Sequence, residues 1–432
     1  MKIRELIAVT SAKILKDVDE DLDVRISTDT RTIKSGDFYL PLKGASFDGE
    51  EFINQAIDKG AVGAFCTKNV GTLQVTDTLE AYLKLANYRR NNLNLKVVAI
   101  TGSSGKTTTK EIVASVLERK FKTFKTPLNH NNEIGFCQTI FETPDDTEVL
   151  VLEMGMRGLG EIELLSKYAE PDITIISNVG TAHIGRLGSR ENIAKAKCEI
   201  VKYQRGDLFI AHDDDLIRQT INFDKEKVFY SINDVKIIEQ SSNYSKFEYQ
   251  NNIYELNVGG NYNIENALAA INAGFSLGMT AEEIAGGLEA YHPIEKRWEA
   301  ANSGGYEIIN DSYNANPESM RAFIDTIFQF YENCVIILGD MGELGENESK
   351  YHKDLGRYIQ EHKFIKSSVE LITVGTLSRS ITDEITALKT NHFETIDDVV
   401  GYVKNNVKKD SKIFLKASRS MKFEKIIDEL AL

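Results

Sequence analysis

The chain is poor in cysteine, in positive charge and in long apolar runs, and each shortage narrows what it can be. Its four cysteines, Cys66, Cys137, Cys198 and Cys334, lie far apart with no CxxC spacing. That excludes a disulfide framework and a zinc ribbon, and it suits buried thiols in a reducing cytosol. No run approaches the length that spans a bilayer, and the opening MKIRELIAVT carries no long apolar core. A cytoplasmic location without membrane insertion is therefore expected. Lysine and arginine number 51 against 65 aspartates and glutamates, a net charge of −14. This balance argues against a general nucleic-acid binder, because phosphate backbones select basic faces. An anionic ligand would have to be met by local cations and backbone amides. Low-complexity tracts and short repeats are missing as well.

What is present reads as a globular enzyme, with 42% hydrophobic and 27% charged residues. At 432 residues the chain exceeds one ordinary core, so two or three domains are expected. The most informative stretch is KVVAI-TGSSGK-TTTKE, residues 96–111. Val97, Val98 and Ile100 predict a buried strand, and Ile112, Val113, Val116 and Leu117 recur at helical spacing. Between them, Gly102, Ser103, Ser104 and Gly105 form a tight turn that aims backbone amides at a helix N-terminus, a site for phosphate. Lys106 would reach the terminal phosphates, and the hydroxyl of Thr107, followed by Thr108, would ligate magnesium. Ile100 stands where the full Walker pattern has its first glycine, so the loop is a shortened GxxGKT form.

Strand and helix signals alternate in three blocks. The first, 1–90, holds a strand-like DFYLPL (37–42), a helical EEFINQAIDKG, a strand AVGAFC (61–66) and a helix over 79–91. The second, 91–298, opens on the glycine-loop strand and continues with EVLVLEMG, a helix near 160–168, DITIISNVG and an alanine-rich helix in 260–278. The third, 299–432, repeats β-α units through YEIIND, CVIILGD, ELITVG and KIFLKAS. This pattern predicts an α/β fold with a small N-terminal α/β domain, a central P-loop domain on a parallel or mixed sheet, and a C-terminal Rossmann-like domain. The phrase AYHPIEKRWEA (290–300) is expected to hold the hinge.

Glu153 ends an apolar strand, where α/β proteins display catalytic carboxylates, and its oxygens suit magnesium. His183 lies in a glycine-rich loop and Lys197 on a predicted helix; pattern alone distinguishes neither from ordinary solvated residues. Asp311, Asn314 and Asn316 crowd the loop after a strand, and Asp340 and Glu343 do the same in LGDMGELG. Both clusters read equally well as turn chemistry. The run Asp213-Asp214-Asp215 lacks the spacing of a calcium loop and reads as a solvated turn, and Trp298 as a packing residue.

Taken together, TGSSGKTTTKE, EMGMRGLGEI, SNVGTAHIGRLGSRENIAKAKCEI, DSYNANPESM and LGDMGELG resemble the Mur ligase family, in kind and in order over almost the whole chain. The resemblance implies an ATP-dependent carboxylate–amine ligase of peptidoglycan precursor synthesis, joining D-alanyl-D-alanine to a UDP-N-acetylmuramoyl-tripeptide through an acyl phosphate. It implies that Lys106 and the amides of 102–108 hold the phosphates. Thr107 and Glu153 would ligate one magnesium ion, with Glu153 and His183 near a second. Lys197 matches a lysine that the family carbamylates to help hold that metal. Asn263 and Asn266 match asparagines beside the adenine, and Arg297 and Asp311 match groups that reach the nucleotide on domain closure. STDTRTIKSGDFYLPLKGASFDGEEFI resembles the domain that holds the UDP end, which assigns Ser27, Asp29, Thr30, Arg31, Lys43 and Asp48 to substrate, together with Asn131 and Asn132. Asn314, Asn316, Lys416, Ser418 and Arg419 are assigned to the dipeptide. The chain departs from the family pattern at Glu50, Cys137, Tyr262, Lys296 and Ala417, none of which is a phosphate or metal group. A monomer is expected. The alternatives are a ligase with another acceptor, folylpolyglutamate-like or tetrapyrrole-amidating, a nucleotide-driven switch, or an inactive homologue.

Overall fold

The computed structural model describes residues 1–44, 46–127, 130–293 and 297–432. Lys96–Thr101 forms a strand because Val97 through Ile100 are apolar on both faces, as the interior of a parallel sheet requires. It lies within six parallel strands in the order Glu226–Tyr230, Leu208–His212, Ile173–Ile176, Lys96–Thr101, Val149–Glu153, Thr123–Lys125. The chain leaves Val149–Glu153 on one side of Lys96–Thr101 and returns as Ile173–Ile176 on the other. That reversal opens a crevice at the carboxyl ends of the strands, where Gly102 begins the turn.

The helices Lys106–Leu117 and Asn261–Ser276 cover this sheet, and Ala281–Glu289 packs on Lys106–Leu117. Small residues allow the close approach: a Cβ on Gly287 would lie 2.4 Å from the Cα of Val116. The alanine-rich helix buries Ala267, Ala269, Ala270 and Ala273 on successive turns. An antiparallel meander, Lys236–Ser241, Tyr244–Tyr249 and Asn252–Leu256, joins this region and was not anticipated from the sequence.

The C-terminal, Rossmann-like sheet runs Glu299–Ser303, Tyr306–Asn310, Lys412–Lys416, Cys334–Gly339, Glu370–Val374, Lys389–Phe393. All neighbours are parallel except the opening hairpin. The Trp298 ring packs against Phe323 and Phe414, with centroids 5.6 and 5.9 Å away, and its Nε1 donates to the Ser242 carbonyl at 3.2 Å. It is a packing residue, as its sequence context suggested. Of the expected hinge, residues 294–296, including Lys296, lie outside the described residues.

The chain divides into two compact units. One comprises Met1–Leu95, Thr126–Glu148 and Lys167–Glu170; the other comprises Lys96–Lys125, Val149–Ser166 and Pro171–Leu432 and contains both large sheets. The first unit is built on a five-stranded sheet in the order Lys13–Ile14, Leu73–Gln74, Gly63–Cys66, Phe38–Tyr39, Ile26–Ser27. The strand expected over 37–42 pairs only at Phe38–Tyr39, and Pro41, two residues on, has no amide hydrogen to extend the ladder. Helices Ile3–Thr10, Thr78–Asn92 and Glu133–Glu142 belong to the same unit. Tyr82 stacks on Phe141 at 5.5 Å, and the Tyr88 hydroxyl donates to Glu5 at 2.9 Å. Among the described residues, no helix is long and apolar enough to cross a membrane.

Candidate functional site

The turn after Lys96–Thr101 tolerates only glycine at two positions. A Cβ on Gly102 would fall 1.9 Å from Ser177 Oγ, and Gly105 has φ +75° with Asn266 Oδ1 only 2.8 Å from its would-be Cβ. Gly105 is the cap position of the helix Lys106–Leu117, and no side chain caps that end. The amides of Lys106, Thr107 and Thr108 are therefore the open donors of the first turn, where the helix end is partly positive. The amides of Ser103 and Ser104 are already engaged, donating to Asn178 Oδ1 at 3.1 and 2.9 Å. Lys106 Nζ donates to the Gly102 carbonyl at 2.9 Å, folded back over its own loop. Desolvation lowers its pKa, while the charge of Glu153 works in the opposite direction.

The C-terminal sheet meets this loop directly. Arg297 Nη2 donates to Thr107 Oγ1 at 2.9 Å, and its guanidinium lies 4.1 Å from the Tyr313 ring centroid. Asn316 Nδ2 donates to Ser104 Oγ at 2.8 Å, and Thr181 Oγ1 donates to Glu318 at 2.9 Å. Glu343 Oε2 lies 2.7 Å from His183 Nδ1, and this contact holds the Glu343 carboxyl below its usual pKa. Both residues have left-handed backbones, φ +64° and +62°, and Gly185 and Gly345 behind them leave no room for a Cβ. The Glu343 loop is braced from below. Asp340 Oδ1 accepts from the amides of Leu377 and Ser378, and Nε2 of the fully buried His352 accepts from the Met341 amide at 2.9 Å.

Lys197 is 1% exposed on the helix Arg190–Cys198. Burial lowers its pKa well below the usual value, and the nearby charge of Lys106 lowers it further. Pattern alone did not show that burial; the one signal for it is that Ile193, Ile200 and Val201 share a helical face with Lys197. Glu153, buried at its strand end, has Lys110 Nζ 3.9 Å away, and Lys110 also contacts Glu111 at 3.1 Å. Among the described residues, no three His, Cys, Asp or Glu side chains gather into a metal cage. Thr107 and Glu153 could instead supply two oxygens to an ion that takes the rest of its shell from phosphate and water, the usual habit of magnesium.

The remaining assigned residues are more occupied. Asn263 Nδ2 donates to the Gly259 carbonyl at 2.7 Å, and Asn266 Oδ1 accepts from Thr109 Oγ1 at 3.1 Å, beside the loop. Lys416, almost fully buried, binds Asp311 Oδ2 at 2.5 Å and reaches the Asn314 carbonyl at 3.4 Å, so this lysine shapes the loop. Ser418 Oγ pairs with Ser420 Oγ at 3.2 Å, and Arg419 pairs with Glu424 at 3.2 Å on the surface. Within the first unit, Asp29 holds Arg31 at 2.6 Å and its pKa is lowered by that bond. Ser27 Oγ donates to the Asp29 carbonyl, Thr30 bonds Gln55, the backbones of Lys43 and Asp48 form an isolated antiparallel bridge, and the Asp48 side chain accepts from the Glu50 amide. Asn132, after Asn131, caps the helix Glu133–Glu142 by accepting from the Gly135 amide at 2.8 Å.

Comparison with known proteins agrees with this geometry. Residues 24–100 match the model of the Mur ligase family catalytic domain, 100–274 the Mur ligase middle domain, and 296–419 the Mur ligase glutamate ligase domain. A UDP-N-acetylmuramoyl-tripeptide–D-alanyl-D-alanine ligase of Bacillus subtilis is 36% identical, covering 94% of this chain and 92% of its own. The chain belongs to the Mur ligase family.

Among solved structures, MurF from Acinetobacter baumannii superposes with a TM-score of 0.91 at 30% identity, covering 100% of this chain and 98% of that one. MurF ligase from Thermotoga maritima, in complex with ADP, gives 0.82 at 27% identity, over 96% and 98%. The chain is thus an ATP-dependent Mur ligase with the three-domain α/β fold of these structures. Asn178, Glu318 and Lys110 were not singled out from the sequence. Their partners are distant in the chain or, for Lys110, hidden inside a run of threonines. Only the order of segments along the Mur ligase pattern could have pointed to them.

Proposed function

We propose that the chain joins the amine of D-alanyl-D-alanine to the free carboxylate of a UDP-N-acetylmuramoyl-tripeptide. The products are UDP-N-acetylmuramoyl-pentapeptide, ADP and phosphate, in cytoplasmic precursor synthesis. The observation that carries this reading is the junction at the phosphate loop, where Thr107 meets Arg297 and Ser104 meets Asn316. A reactive acyl phosphate must be made where water is excluded, and a loop closed over by a second sheet offers that.

In this reading the substrate carboxylate attacks the γ-phosphorus of ATP and ADP leaves; the dipeptide amine then attacks the acyl carbon and phosphate leaves. Lys106 and the amides of 106–108 would hold the transferring oxygens as charge spreads over them. Arg297 would turn from Thr107 toward the nucleotide, with Asp311 beside it, and Asn263 and Asn266 would flank the base. Magnesium would be held by Thr107 and Glu153, with His183 near a second ion, and would neutralise phosphate charge. Carbamylation fits Lys197, because burial lowers the pKa of its amine and so favours the neutral form that attacks carbon dioxide. The first unit would bind the UDP end through Ser27, Asp29, Thr30, Arg31, Lys43 and Asp48, with Asn131 and Asn132. Asn314, Asn316, Ser418 and Arg419 would face the dipeptide, and Lys416 would act through Asp311. The domains implied are 1–90, 91–298 and 299–432, in a monomer.

The test is phosphate release with ATP, magnesium and paired substrates. Release should require both UDP-N-acetylmuramoyl-tripeptide and D-alanyl-D-alanine, and the product mass should match the pentapeptide. Release driven instead by a folate, a tetrapyrrole acid or no acceptor at all would overturn the assignment.

A further inference from the structure

The phosphate loop is two residues short of the usual form, yet it stands in one definite shape. Its support comes from the end of the next strand. The Asn178 carboxamide pairs with both backbone groups of Ser104: Oδ1 accepts from Ser104 N at 2.9 Å, and Nδ2 donates to Ser104 O at 3.0 Å. Oδ1 also accepts from Ser103 N at 3.1 Å, an amide shared with the Asn178 carbonyl at 3.1 Å. Two neighbours complete the brace, Ser177 Oγ donating to Ser104 O at 2.6 Å and Gly180 N donating to Ser103 Oγ at 2.9 Å. These bonds use the polar groups of the first half of the loop. The amides of the second half, at the uncapped helix end, remain the donors open to an anion.

We propose that Asn178 is a positioning residue for the nucleotide phosphates: it substitutes for the missing loop residues by pinning Ser103 and Ser104, so that the amides of 106–108 and Lys106 point at the β- and γ-phosphates. Pairing both backbone groups of one residue is what an adjacent β-strand would do, and a carboxamide is the side chain that can do so with one planar group. Alanine leaves the Ser104 amide and carbonyl without this partner. An aspartate would keep the acceptor, lose the donor and add a negative charge beside the phosphates. The loop would then sample other shapes, and ordering it would have to be repaid at each binding event.

The inference rests on the loop being an ATP site, and the experiment separates the two. Binding of ADP and of adenosine is measured by calorimetry for the parent, Asn178→Ala, the milder Ser177→Ala, and Thr280→Ala, a helix cap far from the loop in sequence. Asn178→Ala should weaken ADP about tenfold, the loss of roughly one net hydrogen bond, and leave adenosine within about twofold. Ser177→Ala should shift ADP in the same direction by less, and Thr280→Ala should lower melting temperature without moving the ADP-to-adenosine ratio. In turnover, the KM for ATP should rise more than kcat falls. ADP and adenosine weakened alike, or ADP unchanged in both loop variants, would overturn the role of Asn178. A parent protein that binds no ADP would overturn the nucleotide site itself, and the inference with it. If Asn178→Ala does not fold, the Ser177→Ala ratio decides.

Discussion

The two large sheets carry the same local device, a strand followed by a turn and a helix, and finish it in opposite ways. In the central sheet the turn after Lys96–Thr101 ends on Gly105, and the helix Lys106–Leu117 starts with no side-chain cap. In the C-terminal sheet the turn after Tyr306–Asn310 ends on Asn316, whose side chain accepts from the Ser319 amide while Ser319 Oγ accepts from Asn316 N. Pro317 then removes one more amide from that end. One helix end is left open and the other is sealed. The open end is the one that needs a ligand to satisfy its donors. The sealed end can be pressed against the phosphate loop without competing for the anion.

That contrast can be broken at four places. Lys106→Ala removes the cation of the open end, and turnover should fall about 10²–10³-fold or more with the melting temperature little changed; full activity would remove its phosphate role. Lys197→Ala should be comparably impaired, and short carboxylates added to the assay should restore part of the rate. Rates equal to the parent's would rule out a carbamate. Asn316→Ala unseals the second helix, and chemical denaturation should register a loss of about 1 kcal/mol, accompanied by a higher KM for ATP because the Ser104 contact goes too. A stability loss without any KM change would show that the contact is only structural.

The smallest expected effect concerns His352, which holds the Glu343 loop. Its Nδ1 meets the Glu348 carbonyl at 2.7 Å and its Nε2 accepts from Met341, an arrangement that needs the neutral ring. Burial lowers its pKa below the ordinary 6.5. The unfolded chain then binds a proton near pH 6.5 that the folded chain refuses. Its stabilising contribution is present above that pH and is lost as the pH falls toward the folded value. His352→Gln keeps an acceptor for Met341 and removes the titration, so the melting temperature should decline less steeply on the acid side of 6.5. An unchanged slope would assign the acid sensitivity elsewhere.

The open end was legible in the sequence because its strand, glycines, lysine and helix are contiguous, and local chemistry specifies local structure. The α/β alternation was legible for the same reason, helix by helix, as with Thr78–Asn92 and Glu161–Ala169. What supports the site was not. Asn178 lies 74 residues from Ser104, and Asn316 lies 212 residues from it. Such pairs exist only once the sheets are assembled. The first strand of the meander, Lys236–Ser241, is mostly exposed, with Ile237 and Ile238 outward and no apolar alternation to reveal it, and the buried faces of the next two strands are short.

The chain has a single tryptophan, and Trp298 sits with its ring on the C-terminal sheet and its indole N–H on the meander at Ser242. Indole emission responds to the loss of a hydrogen bond and to the entry of water. The protein therefore carries its own optical probe of the join between those two elements. No label has to be introduced: a change in emission wavelength on adding nucleotide would report, in real time, whether that join loosens or tightens.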